Sequence, residues 1–75
     1  MLTEAEIRYM TNNISKDLVS LLMERYSLSL ENALDTLYNS ETYQKLLDPN
    51  TGLYFQSPKY VFSYLDNEIL LGKIS

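Results

Sequence analysis

Residues 46–60 read LLDPNTGLYFQSPKY and contain both prolines and one of the two glycines of the chain. An aspartate before proline disfavours the helical backbone, so the preceding helix is predicted to end near Leu47. The proline, asparagine and glycine that follow are residues that tight turns favour. Ser57 and Pro58 match the cap and the first position of a new helix. The stretch therefore predicts an ordered apolar turn at about 48–57, between two helices.

Three large side chains, Leu53, Tyr54 and Phe55, lie inside this predicted turn. Such side chains are mostly buried in folded proteins, so we expect at least two of them to pack onto the helices. The alternative is an exposed aromatic patch, because exposed apolar clusters often mark partner sites. The sequence leaves both interpretations open.

The spacing of apolar residues predicts an all-α fold, a small bundle of three to four helices in a single domain over residues 1–75. The predicted helices cover about 3–26, 30–38, 41–47 and 58–71. The first carries apolar residues in steps of three and four, at Ile7, Met10, Ile14, Leu18, Leu21 and Leu22. Val19 and Met23 add a second stripe, which predicts a central helix with neighbours on two sides.

The polar residues 11–13 allow a kink in the first helix, but the apolar stripe stays in phase and favours one continuous helix. Cap residues precede the four helices at Thr3, Ser29, Ser40 and Ser57. The side chains predicted to face inward in the second and fourth helices are Leu30, Ala33, Leu34, Leu37, Tyr38, Val61, Tyr64 or Leu65, Ile69 and, on one flank, Phe62. The apolar residues of the third helix are Tyr43, Leu46 and Leu47. Gly72 is a predicted helix stop, and Lys73 follows it where the helix dipole favours a cation.

Composition argues against catalysis. The chain has no cysteine and no histidine, so thiolate and imidazole chemistry is absent from it. Asp66 and Glu68 are the closest carboxylates in an apolar setting, but two residues apart on a helix they point in different directions. We therefore predict no enzyme activity, no catalytic residue, no cofactor and no metal.

Charge and hydropathy limit the kinds of partner. The net charge of −4, with six scattered basic residues, argues against nucleic acid, whose binding depends on lysine and arginine. The apolar runs are far too short to span a membrane. The first residues, MLTEAEIRYM, lack the pattern of a signal peptide, so we expect a cytoplasmic protein.

The segment of residues 31–65 carries the pattern E-x-A-L-x-x-(F/Y)-Y-x-S-x-T-Y-x-x-L, then T-G-L-Y, then S-x-x-Y. It resembles a family of short bacterial proteins, a domain of unknown function, and departs from the family pattern at Leu37, where an aromatic residue is common. The matching residues are Glu31, Ala33, Leu34, Tyr38, Ser40, Thr42, Tyr43, Leu46, Thr51, Gly52, Leu53, Tyr54, Ser57 and Tyr60. The resemblance implies a gene beside those of ADP-ribosyltransferase-like toxins, and hence an antitoxin-like or regulatory role. It implies no catalytic residue.

Seven tyrosines are the clear excess in the composition, and tyrosine is enriched at protein interfaces. We therefore predict a small protein-binding module whose partner is another protein, such as the product of a neighbouring gene. The residues predicted to bind this partner are Tyr54, Phe55, Tyr60 and Tyr64. The alternative is a self-associating homodimer, which would cover the nearly all-round apolar segment of residues 18–23.

Overall fold

The computed structural model describes residues 2–72, and this part of the chain contains helices and turns but no strand. The α-helices are α1 (Glu4–Tyr26), α2 (Leu30–Tyr38), α3 (Glu41–Leu47) and α4 (Pro58–Leu71). Two short 3-10 helices, Pro49–Thr51 and Leu53–Phe55, connect α3 to α4. The predicted all-α bundle is therefore confirmed. Lys73 lies outside the described residues.

Local hydrogen bonds fix where each α-helix begins. The side chains of Ser29, Ser40 and Ser57 each accept a hydrogen bond from the backbone amide three residues later. At the start of α1, the Thr3 hydroxyl accepts from the Glu6 amide at 3.1 Å, and the Glu6 carboxylate accepts from the Thr3 amide at 2.9 Å. The hydrogen bond from the Thr3 amide, and then the neighbouring Thr3 hydroxyl, lower the pKa of the Glu6 carboxyl below its ordinary value. The four predicted caps are thus confirmed, because capping depends on neighbours in sequence.

The core lies around α1, which is one continuous helix. α2 and α4 pack against it on two sides, α3 packs against α4, and the 3-10 helix Leu53–Phe55 contacts both α1 and α3. This arrangement confirms the predicted central helix with neighbours on two sides. The buried apolar side chains form one cluster: Ile14, Leu18, Val19, Leu22, Ala33, Leu37, Leu46, Leu53, Val61 and Leu65.

Three side chains predicted to face inward are exposed instead, and for them the prediction was wrong. They are Leu30, Tyr38 and Ile69. Each lies in the first or last turn of its helix. Apolar spacing gives the side of a helix that faces the core, but it does not show where along the helix the core stops.

The connection between α3 and α4 is ordered and partly built into the core, as predicted. Gly52 has φ of +70°, a left-handed backbone that separates the two 3-10 helices. Leu53 is buried and Tyr54 packs half-buried against the core, whereas Phe55 is 62% exposed. A 3-10 helix turns once every three residues, so three consecutive side chains cannot all face the same way. Two of the three therefore pack inward.

Candidate functional site

A concave apolar surface runs between α1 and α2. It encloses a volume of about 440 Å³, and we call it the α1–α2 groove. Its apolar lining comes from three helices and consists of Val19, Met23, Leu30, Leu34, Tyr38 and Tyr43. Leu30 is 56% exposed and Tyr38 is 52% exposed, so these two side chains face outward, whereas Val19 belongs to the buried core. An exposed apolar groove of this kind is suited to receiving apolar side chains of another polypeptide.

Polar residues border the apolar lining of the groove. On the α1 side, the polar lining residues are Asn12, Ser15, Lys16 and Ser20. On the α2 side, helix geometry places the exposed carboxylates of Glu31 and Asp35 just beyond Leu34 and Tyr38. By the same geometry, Asp17 and Glu24 lie just beyond Lys16 and Ser20, so carboxylates flank both edges and Lys16 is the charged residue of the lining itself.

Two tyrosines close the end of the groove next to α3. The ring centroids of Tyr38 and Tyr43 lie 5.1 Å apart, with the ring planes tilted by 55°. Tyr43 is partly buried against the core, and burial, with a smaller effect of neighbouring Tyr38, raises the pKa of its phenol. The pair thus gives this end of the groove an aromatic wall in which the Tyr38 ring is exposed.

The four residues predicted to bind a partner form two aromatic pairs. The rings of Tyr54 and Phe55 lie 4.6 Å apart, and those of Tyr60 and Tyr64 lie 5.4 Å apart in an edge-to-face arrangement. The hydroxyls of Tyr60 and Tyr64 share a hydrogen bond of 3.0 Å, which raises the pKa of Tyr64. Tyr54 and Tyr64 pack against the core, whereas Phe55 and Tyr60 are exposed. Whether these residues bind a partner stays a prediction.

Glu68, a residue that sequence reasoning dismissed, caps α3 from α4. Its carboxylate accepts hydrogen bonds from the backbone amides of Glu41 at 2.7 Å and Thr42 at 2.9 Å, and from the Thr42 hydroxyl at 2.8 Å. A carboxylate at a helix N-terminus also interacts favourably with the helix dipole. The donors of the first turn of α3 are therefore occupied by the protein itself.

A second cluster joins the end of α1 to α4. The Tyr26 hydroxyl donates a hydrogen bond to one carboxylate oxygen of Asp66. The Arg25 guanidinium donates to the same oxygen at 2.8 Å. The Tyr26 bond and, secondarily, Arg25 lower the pKa of Asp66, while the bond to Asp66 raises the pKa of Tyr26. Because these three side chains bond to one another, the cluster connects α1 to α4.

Residues 2–72 contain no group of three side chains that could together hold a metal ion. In the same range, no helix combines the length and the apolar character needed to cross a membrane.

The sequence contained only part of the signal for these sites. Spacing placed Leu34 and Tyr38 on one side of α2, but it assigned Leu30 and Tyr38 to the core and so missed the groove. No neighbouring residue in the sequence indicates that Glu68 caps α3, since the residues whose amides bond to it lie 26 and 27 positions away. An acidic residue next to the core-facing positions of α4 is the one feature that could have indicated it.

Comparison with known proteins gives no relative from which function could be transferred: no family model matches the chain, and neither curated proteins nor solved structures show a significant match.

Proposed function

We propose that this chain is a small, non-catalytic protein-binding module and that the α1–α2 groove is its binding surface. The observation that carries the proposal is the group of exposed apolar side chains, Met23, Leu30 and Tyr38, gathered in one concave surface. A folded protein of this size loses stability by leaving such residues in water, and a partner that covers them recovers that free energy. Polar edges beside an apolar floor are also typical of protein interfaces.

The ligand best suited to this groove is an amphipathic helix. The groove is bounded by two neighbouring helices, so a third helix can insert its apolar face between them, with anchors three and four residues apart. The partner would present a cationic group towards Glu31 and Asp35 and an anionic group towards Lys16. By the resemblance described above, a protein encoded by a neighbouring gene in the same bacterial cytoplasm, including a toxin of the ADP-ribosyltransferase-like type, is the first candidate.

The aromatic residues Tyr54, Phe55, Tyr60 and Tyr64 define a second candidate surface. Its exposed members are fewer, because Tyr54 and Tyr64 contribute to packing against the core. We therefore propose the α1–α2 groove as the main binding surface, and the capture experiment described next tests both surfaces.

The test is capture of a partner by tagged bait from the native host, followed by mass spectrometry. Leu30→Lys places a charge in the groove, and Leu70→Lys makes the same change at an exposed leucine of α4. We expect a stoichiometric partner with the wild-type protein and with Leu70→Lys, and its loss with Leu30→Lys. Circular dichroism establishes that each variant keeps its helices.

Alanine variants of Phe55 and Tyr60 extend the same experiment to the second surface. Loss of the partner with these variants, but not with Leu30→Lys, would move the binding site to the aromatic residues. Equal capture by every variant would argue against both surfaces.

A further inference from the structure

We infer that the thioether of Met23 is an oxidation site, and that a peroxide converts it to a sulfoxide that weakens binding in the α1–α2 groove without unfolding the protein. The inference rests on the proposed function, because it concerns the same groove and adds a chemical modification that regulates it. It is carried by the position of Met23, which is exposed in the groove and lies outside the core.

Methionine is the sulfur-containing residue of this chain. The sequence has no cysteine, and its three methionines are Met1, Met10 and Met23. Peroxides convert the thioether of methionine to a sulfoxide, which is polar and which dedicated reductases convert back. Met1 lies outside the described residues, so Met10 and Met23 are the two thioethers that the structure places.

The two methionines differ in their surroundings. Met23 is 36% exposed and lines the groove together with Val19 and Leu30. It belongs neither to the buried cluster nor to the partly buried side chains that pack against that cluster. Met10 is half-buried and is not part of the groove lining. A small oxidant in solution can therefore reach the sulfur of Met23 in the folded protein.

The reaction with hydrogen peroxide balances without another reactant. A lone pair of the Met23 sulfur attacks one peroxide oxygen, so that an S–O bond forms as the O–O bond breaks. The second oxygen leaves as hydroxide and takes the proton from the oxygen that stays on sulfur, which releases water. The sulfur is oxidised by two electrons and the peroxide is reduced by two, and the product is methionine sulfoxide.

The new oxygen affects binding more than folding. In the unbound protein the sulfoxide at this exposed position is hydrated, so the core keeps its packing and the protein keeps its stability. A partner that inserts an apolar side chain beside Val19 and Leu30 would have to remove this water. Burying a polar oxygen without a hydrogen bond opposes binding, so we expect the partner to bind at least about tenfold more weakly.

The first part of the test locates the oxidation. The complete chain and its Met10→Leu variant, a volume-conserving replacement, are treated with hydrogen peroxide, which catalase then removes. Site-resolved mass spectrometry should show that Met23 gains one oxygen atom in the folded protein and not only in urea. Thermal unfolding of Met10→Leu, followed by circular dichroism, should have the same midpoint before and after oxidation.

The second part repeats capture from the native host with each bait before and after peroxide. Oxidised Met10→Leu should bind the partner at least about tenfold more weakly than the same variant before treatment. Reduction by the two methionine sulfoxide reductases, one for each epimer, should restore capture. Met23→Leu has no sulfur at this position, so its own level of capture should not change with peroxide.

The outcomes separate this inference from the proposed function. If Met23 stays reduced until urea is added, or if oxidised Met10→Leu unfolds at a lower temperature, the oxidation site as described is wrong. Capture that peroxide leaves unchanged in Met10→Leu, or lowers equally in Met23→Leu, would overturn the effect on the groove. If the untreated protein captures no polypeptide while Met23 is oxidised at unchanged stability, the proposed function fails and the oxidation site stands.

Discussion

The Glu68 side chain connects α4 to α3, so removing its carboxylate should lower the free energy of unfolding. Glu68→Ala leaves the amides of Glu41 and Thr42 without their acceptor. Hydrogen bonds to a charged group contribute about 1.5–3 kcal/mol each, so with partial solvent access we expect a loss of about 1–3 kcal/mol in the free energy of unfolding. Urea unfolding measures it. Glu24→Ala removes an exposed carboxylate as a control, and equal losses in the two variants would contradict this role of Glu68.

Asp66 should make stability depend on pH in the acid range. Its pKa is below the ordinary value of 3.8 because Tyr26, and then Arg25, stabilise the carboxylate. A carboxyl whose folded-state pKa is lowered contributes stability above its unfolded-state pKa and loses that contribution as pH falls through the folded-state pKa. The advantage of the wild type over Asp66→Asn should therefore be complete at neutral pH, should begin to decrease near pH 3.8, and should disappear once the pH is below the lowered folded-state pKa of Asp66.

Urea unfolding at a series of pH values measures this difference. Tyr26→Phe removes the main cause of the lowered pKa of Asp66 and should reduce the same pH dependence. Asp17→Asn, at an exposed position on the same helix as Tyr26, serves as the control and should keep the wild-type profile. A constant gap between wild type and Asp66→Asn across the acid range would show that the carboxylate is not the cause.

The connection between α3 and α4 depends on the backbone of Gly52. With φ of +70°, this position disfavours residues with a Cβ, although a Cβ there would meet no atom within 4 Å. The cost of Gly52→Ala is therefore one of backbone strain alone, about 1–2 kcal/mol. Asparagine tolerates this conformation better, so Gly52→Asn should lose less stability than Gly52→Ala. Thermal unfolding of the two variants compares them, and equal losses would show that the left-handed backbone does not matter.

The α-helices themselves could be predicted almost to the residue. Thr3, Ser29, Ser40 and Ser57 each act through an amide three residues away, so the sequence alone contains the signal. The partners of Glu68, in contrast, are brought close only by the packing of α3 against α4. The groove was missed for a similar reason. Whether Leu30 is covered depends on what packs beside the first turn of α2, and spacing within α2 does not encode this.

The protein as a whole is small enough that one core side chain matters to the entire fold. Leu53 is 7% exposed in the core, and replacing a buried leucine with alanine costs about 2–5 kcal/mol. Single domains have a free energy of unfolding of only about 5–15 kcal/mol, so Leu53→Ala should unfold the protein to a measurable extent at moderate temperature. Circular dichroism during heating measures this loss.

Phe55→Ala, two residues away, is the matched control for Leu53→Ala. Because Phe55 is exposed, its replacement should change the free energy of unfolding by less than about 0.5 kcal/mol. Equal effects at the two positions would mean that the connection packs differently from the arrangement described above. The comparison also shows which residue of the 3-10 helix Leu53–Phe55 can be replaced in binding experiments without unfolding the protein.

The capping of α3 by Glu68 has a consequence for the order in which the chain folds during synthesis. α3 has seven residues, too few for an isolated helix to be stable in water. The carboxylate that accepts hydrogen bonds from its first amides belongs to Glu68, 26 residues after Thr42. The α1–α2 hairpin is synthesised first and can begin to collapse while α4 is still being made. The Glu68 carboxylate reaches α3 only when α4 is in place, so we expect α3 and α4 to become stable together.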